Sequence, residues 1–176
     1  MTDCSLSFHC QKPSALSAAK LADLGTFIET HGGVPTKRVR HNLGAAFLIA
    51  WAELGEELVG ASCLKHPRPE YLKNLCYRMD LNLEGFLERG YTCVHPQQTG
   101  QGIASRLVAL LTEKAGDHPF YALVHENNVA IQHILGRSGQ QKIKSFYSDL
   151  AKRELGLWVS QTGARKLGPG SPTSAK

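Results

Sequence analysis

The stretch "VHPQQTGQGIASRL", residues 94–107, decides how this chain is read. It leaves an apolar run of strand composition, passes through Thr99, Gly100, Gln101 and Gly102, and enters a helical pattern. In that pattern Ile103, Leu107, Leu110 and Leu111 recur at i, i+4, i+7 and i+8, which predicts an amphipathic helix up to Ala115. No acidic residue stands anywhere in the stretch. The first N–H groups of a helix lack intrahelical partners, and the helix dipole is positive there. Glycines remove the Cβ atoms that would hold a bulky anion away. A strand, a glycine loop and a helix beginning near Gly102 therefore aim several amides at one point, and a phosphate suits that point. The spacing is not that of a GxxxxGK[ST] P-loop, and it lacks the GxGxxG of a dinucleotide fold.

Composition permits such a site. At 176 residues, 42% apolar and 20% charged, the chain has the make-up of one globular domain with a real core. Its longest apolar runs, such as "AAFLIAWA", are too short to cross a bilayer. The first ten residues, "MTDCSLSFHC", carry an early Asp and no apolar h-region, so no secretory signal is expected. Five cysteines, at positions 4, 10, 63, 76 and 93, form no CxxC pair and are odd in number. Free thiols in a reducing compartment, the cytoplasm, are the expectation. Of the net charge of +5, three units sit on Arg165, Lys166 and Lys176, leaving +2 on residues 1–162. That balance does not supply a nucleic-acid surface. The one dense basic cluster elsewhere, "KRVRH" at 37–41, reads most simply as a solvated helix face. Residues 163–176, rich in Gly, Pro and Ser, read as a flexible tail after a domain spanning 1–162.

Seven segments have strand composition: "SLSFHCQ", "AAFLIAWAE", "ELVGASCLKH", "GFLERGYTCV", "PFYALV", "QKIKSFYS" and "LGLWVSQ". The second and third are joined by "LGEE", a tight hairpin with Gly55 in its turn. Ser14 is placed to cap a helix whose Ala18, Leu21, Leu24 and Ile28 share a face and which the "HGG" at 31–33 ends. A shorter helix is expected over residues 129–137, and two more at 36–43 and 70–79. Strands and helices in this order predict a mixed α/β sheet.

The junction resembles the signature of the GNAT superfamily of acyl-CoA-dependent N-acyltransferases, in which a strand ending V-x-P precedes (Q/R)-x-x-G-x-(G/A). Gln97-x-x-Gly100-x-Gly102 satisfies the short motif literally. Spacing from Val94 and Pro96 instead puts Gly102 and Ala104 at the small positions and Thr99 at the Gln/Arg position, and this second register starts the helix in the right place. "ENNVAIQHILGRSGQ" is similar to the family's later segment, with Asn128 as its Asn, Leu135 where Tyr is common, Gly139 as its Gly and Gln140 where Phe is usual.

The resemblance implies a mostly antiparallel sheet of about seven strands, splayed near the fourth and flanked by helices. It implies acetyl-CoA as acyl donor and a primary amine as acceptor. Thr92, Cys93 and Val94 would lie along the pantetheine arm, with Thr99, Gly100, Gln101, Gly102, Ile103, Ala104 and Ser105 around the pyrophosphate and Asn128 facing the arm. Amides of residues 91–93 would stabilise the oxyanion formed when the amine attacks. Glu88 stands where many relatives carry the base; a solvated or ion-paired carboxylate is the plainer alternative. Strand alternation puts Glu88, Gly90 and Thr92 on one face and Arg89, Tyr91 and Cys93 on the other. The thiolate's proton would come from Tyr121, Tyr147 or a water, since Leu135 has none. "CLKHPRPEYLKN", residues 63–74, would lie on the acceptor side.

Other clusters carry less. "HENNV" lacks the second His of a HExxH zinc site, and the eight histidines have no ligand spacing. Nothing near Cys93 in sequence would lower its pKa, so a buried strand thiol is expected. Two further readings stay open: an acyl-CoA sensor of the same fold without turnover, and an acyltransferase acting on a protein amine or a charged tRNA. The residues leave open whether the closing strands pair across a homodimer.

Overall fold

The computed structural model describes residues 5–168. Seven strands form one mixed sheet: β1 (Leu6–Gln11), β2 (Leu48–Leu54), β3 (Glu57–Lys65), β4 (Leu87–Val94), β5 (Phe120–His125), β6 (Gln141–Ser148) and β7 (Arg153–Val159). Their order is β1-β2-β3-β4-β5-β7-β6, mostly antiparallel with one parallel pair. Six helices accompany them: α1 (Ala18–His31), α2 (Val39–Gly44), α3 (Pro69–Met79), α4 (Ile103–Ala115), α5 (Val129–Arg137) and α6 (Gln161–Leu167). The seven expected strands and the mixed α/β class are both observed. The described residues fall into two compact units, within Met1–His66 with Arg89–Gly116 and within Pro67–Glu88 with Asp117–Lys176.

In the first unit β1, β2 and β3 form an antiparallel meander, with Phe8 opposite Ala52 and Trp51 opposite Ala61. The β2–β3 turn has Gly55 at φ +62, as the two-residue hairpin demands. One face of the meander is covered by α1 and α2, where Leu24, Ile28, Val39 and Leu43 pack with Ile49, Trp51, Ala61 and Cys63. The cap of α1 is Ser17, not Ser14: its hydroxyl accepts from the Lys20 amide at 3.1 Å. Pro13 draws residues 13–15 into a separate 3-10 turn, and Leu16 is extended, so no helix can run on from Ser14. Ala18 is exposed, and Phe27 takes its place on the buried face. Within "KRVRH", Val39 is buried and Arg40 makes a two-pronged ion pair with Glu29 at 3.0 and 2.9 Å, so the cluster braces α1.

The opposite face carries α4. Ile103, Leu107, Val108 and Leu111 are buried, whereas Leu110 is half-buried. Contact is closest at Gly60, where a Cβ would stand 2.7 Å from Ile103 Cγ2 and 3.0 Å from Leu107 Cδ1. Only glycine lets the helix start sit this low on β3.

The second unit packs Leu75 and Met79 of α3, one turn apart, with Leu83, Phe86, Tyr121, Leu157 and Val159. Here β7 pairs antiparallel with both β5 and β6. The sequence does not announce α6, which occupies the start of the supposed tail. Ser160 caps it, its hydroxyl accepting from the amides of Gly163 at 3.0 Å and Phe120 at 3.2 Å. A side chain at Gly163 would stand 2.7 Å from Phe86 Cε1, so the glycine read as a tail residue is a packing residue. Tail residues 169–176 lie outside the described residues, as does Cys4.

Candidate active site

The junction that opened the sequence forms as expected. After β4, a short 3-10 turn at Pro96–Gln98 leads into Thr99, and α4 begins at Ile103 with Gly102 as its N-cap. Gly100 and Gly102 both have left-handed backbones, φ +86 and +78, and a Cβ on either would meet nothing within 4 Å. These glycines are thus required by conformation, with open space in front of them. No side chain caps α4 and no acid stands in its first turn. The first bond into the helix proper is donated by Arg106 to the Gly102 carbonyl, at 3.0 Å. The amides of Ile103, Ala104 and Ser105 precede it, and helix geometry leaves them without intrahelical acceptors. Open space, amide donors and a positive helix end fit a diphosphate. α4 starts directly after Gly102, where the sequence pattern predicts the helix to begin.

Strand β4 departs from regular alternation. Tyr91 has φ +57, a conformation that side chains with a Cβ rarely adopt. Its hydroxyl accepts from Asn42 Nδ2 at 2.6 Å, and Lys65 Nζ lies 5.2 Å from its ring centre. The left-handed residue acts as a bulge does and shifts the alternation by one. Arg89 lies under α4, donating to the Val108 carbonyl at 3.1 Å and the Thr112 hydroxyl at 2.8 Å. Thr92 shares a 2.7 Å hydroxyl bond with Ser62, which alternates with Gly60 on the α4 side of β3. Tyr91 and Cys93 instead join the cluster under α1 and α2. The expected grouping of Arg89 with Tyr91 and Cys93 is therefore corrected, because the bulge was invisible to a strict period of two. Burial pushes the Cys93 thiol up to about 12, as befits a packing residue.

In the second unit Glu88 is half-buried, and the Tyr121 hydroxyl donates to its Oε2 over a long 3.5 Å. Tyr121 is fully buried, and burial and the Glu88 charge raise its pKa well above the ordinary tyrosine value. Tyr71 on α3 is raised by the same two causes in the same order. Asn128 is the N-cap of α5: its Oδ1 accepts from the Ile131 amide at 3.2 Å, so its carboxamide N–H groups take no part in the cap. Leu135 is wholly buried. Gln140, at the usual Phe position, is buried too and donates to Ser138 at 2.9 Å. His125 has its pKa lowered by burial and by Arg153. No group of three or more metal-ligating side chains occurs among the described residues, and no helix among them is long and apolar enough to span a membrane.

Residues 19–139, well over half of the chain, match the family described as Acetyltransferase (GNAT) family. The chain belongs to the GNAT acetyltransferase family. As a GNAT protein it is an acyltransferase that moves an acyl group from acyl-CoA to an amine. No curated protein matches it in sequence. Solved structures match it in fold. An acyl-CoA N-acyltransferase from Pseudomonas aeruginosa is 17% identical with a TM-score of 0.66, covering 89% of this chain and 99% of its own. The Salmonella typhimurium protein yncA, solved with its cofactor acetyl-CoA, is 15% identical with a TM-score of 0.58, covering 89% and 94%. The ribosomal-protein-S18-alanine N-acetyltransferase from Escherichia coli is 12% identical with a TM-score of 0.61, covering 87% and 92%. Asn42, Ser62, Tyr71 and Tyr121 were not singled out as a set by the sequence, since each gains its role from a partner on a distant segment.

Proposed function

We propose that this GNAT protein is an N-acetyltransferase that moves the acetyl group of acetyl-CoA to a primary amine by direct attack. The observation that carries the proposal is the pair of left-handed glycines, Gly100 and Gly102, opening a helix with no side-chain cap and no acid in its first turn. Their loop, with Thr99, Gln101, Ile103, Ala104 and Ser105, holds the diphosphate through main-chain N–H groups. Thr92, Cys93 and Val94 run along the pantetheine arm, and Asn128 offers its carboxamide N–H. Glu88 takes the proton that the attacking amine gives up. The new C–N bond forms as the C–S bond breaks, and the thiolate takes its proton from Tyr121, Tyr147 or water, because Leu135 cannot supply one.

The test is a release assay. The protein is incubated with acetyl-CoA and a panel of amino acids, peptides, polyamines and aminoglycosides, and free CoA is followed with a thiol reagent. Acceptor-dependent release is expected with one class. Thermal stabilisation by acetyl-CoA without release from any class would overturn the catalytic reading and leave a sensor. Glu88→Gln should lower turnover more at low pH than at high pH, because amine that is already deprotonated becomes abundant as pH rises. A small effect equal at all pH values would remove Glu88 from the mechanism.

A further inference from the structure

The second unit holds a cavity of about 410 Å³ whose walls include Arg68, Tyr71, Leu75, Arg78, Phe146 and Leu150. That volume lies at the lower end of the roughly 300–1,000 Å³ of small-molecule sites. One wall is α3. Arg68 is its N-cap residue and lies over the Tyr71 ring at 5.8 Å, in no ion pair among the described residues. Arg78, in the last turn, lies over Phe146 at 5.4 Å and donates to the Tyr147 carbonyl at 2.6 Å. Its nearest carboxylate, Asp149, is 3.9 Å away and 80% exposed, a weak claim on its charge. Glu70 also borders the cavity and is exposed.

Tyr71 links this cavity to the chemistry. Burial and the Glu88 charge raise its pKa, and the charges of Arg68 and Arg78, both on the cavity wall, oppose them. Around one half-buried phenol the fold thus sets a carboxylate suited to an amine and two guanidinium groups suited to an anion. Apolar surface from Leu75, Phe146 and Leu150 completes the wall, and Leu150 is 81% exposed. Polyamines and aminoglycosides carry several positive charges, and two arginines oppose them.

We infer that this cavity takes the acceptor, and that the acceptor is a small primary amine carrying its own carboxylate and an apolar side chain, as an α-amino acid does. The carboxylate meets Arg68 or Arg78, the side chain lies on Phe146 and Leu150, and the amine turns past Tyr71 toward Glu88. This rests on the acyl-transfer reading above for its chemistry, but the binding preference is independent of acetyl-CoA.

The experiment is calorimetry on the full chain without coenzyme. Apolar L-amino acids are each compared with their α-amides, which keep the amine and lose the carboxylate. At least one acid should bind about tenfold to a hundredfold more tightly than its amide, the range expected of a charge-assisted hydrogen bond. Arg68→Gln or Arg78→Gln should remove most of that preference. Arg68 is exposed and outside the core, so Arg68→Gln will fold; an unchanged circular dichroism spectrum confirms it. Amides binding as well as acids in every pair, or a preference that survives both substitutions, overturns the inference. Acid-selective binding lost in the variants, with no acetyl transfer, keeps the pocket and sinks the catalytic reading. Acetyl transfer to polyamines or peptides alone, with no acid preference, does the reverse.

Discussion

Asn42 Nδ2 donates to the Tyr91 hydroxyl at 2.6 Å, and Tyr91 is the residue of β4 whose backbone is left-handed, φ +57. A bond from α2 thus holds the side chain of the residue at which β4 loses its regular alternation. Removing the bond with Asn42→Ala or Tyr91→Phe should cost about 0.5–1.5 kcal/mol. Tyr91→Val, which keeps no bond and resists positive φ, should cost about 1–2 kcal/mol more through backbone strain. Tyr91→Gly should escape that strain. Urea unfolding of the four variants ranks them, and Tyr91→Val as stable as Tyr91→Phe would remove the strain argument.

Gly60 and Gly100 should fail for different reasons. Gly60→Ala places a methyl 2.7 Å from a stiff, β-branched Ile103 at the helix start, so α4 must move. A loss of about 1–3 kcal/mol is expected, with weaker acetyl-CoA binding as the amides shift. Gly100→Ala meets no atom within 4 Å but keeps φ +86, a cost of about 1–2 kcal/mol without overpacking. Calorimetry with acetyl-CoA beside thermal unfolding separates the two. Gly60→Ala that leaves both stability and coenzyme affinity unchanged would contradict the close approach.

Glu126 links β5 to β6: its carboxylate accepts from Lys142 Nζ at 2.6 Å and from the Ser145 hydroxyl at 2.7 Å. Burial alone would raise its pKa, but these two bonds and the Lys142 charge together hold it below the ordinary 4.5. A carboxyl depressed on folding adds stability that is present above its unfolded value and lost as pH falls through its folded one. The stability gap between wild type and Glu126→Gln should therefore be full at pH 7 and shrink below about pH 4.5. A gap that widens on acidification would reverse the sign.

Thiol titration should divide the cysteines by depth. Burial pushes Cys93 up to about 12, and Cys10 up to about 11 against a small opposing effect of Lys114. Cys63 is wholly buried. At pH 8 none of the three should react promptly with a disulfide reagent in the folded chain, and all should react in denaturant. Prompt reaction of Cys93, measured by peptide mass mapping, would show that β4 opens.

Local signals carried much of this protein. The amphipathic α4, the Gly55 hairpin and the glycines after β4 were legible because each depends on neighbours within one or two turns. Period and turn chemistry declare themselves at that range. What stayed hidden depends on residues far apart in the chain. Ser17 outcompeted Ser14 because of a proline turn, Gly163 served Phe86 rather than a tail, and β4 lost its alternation at Tyr91, whose bond comes from Asn42. The same division holds at the site. The chain's own residues fixed where a glycine loop opens onto a helix start with no side-chain cap, because a backbone conformation needs only its own glycines. That the charges of Glu88, Arg68 and Arg78 all bear on Tyr71 came from the fold, because charges interact through space and not along the chain.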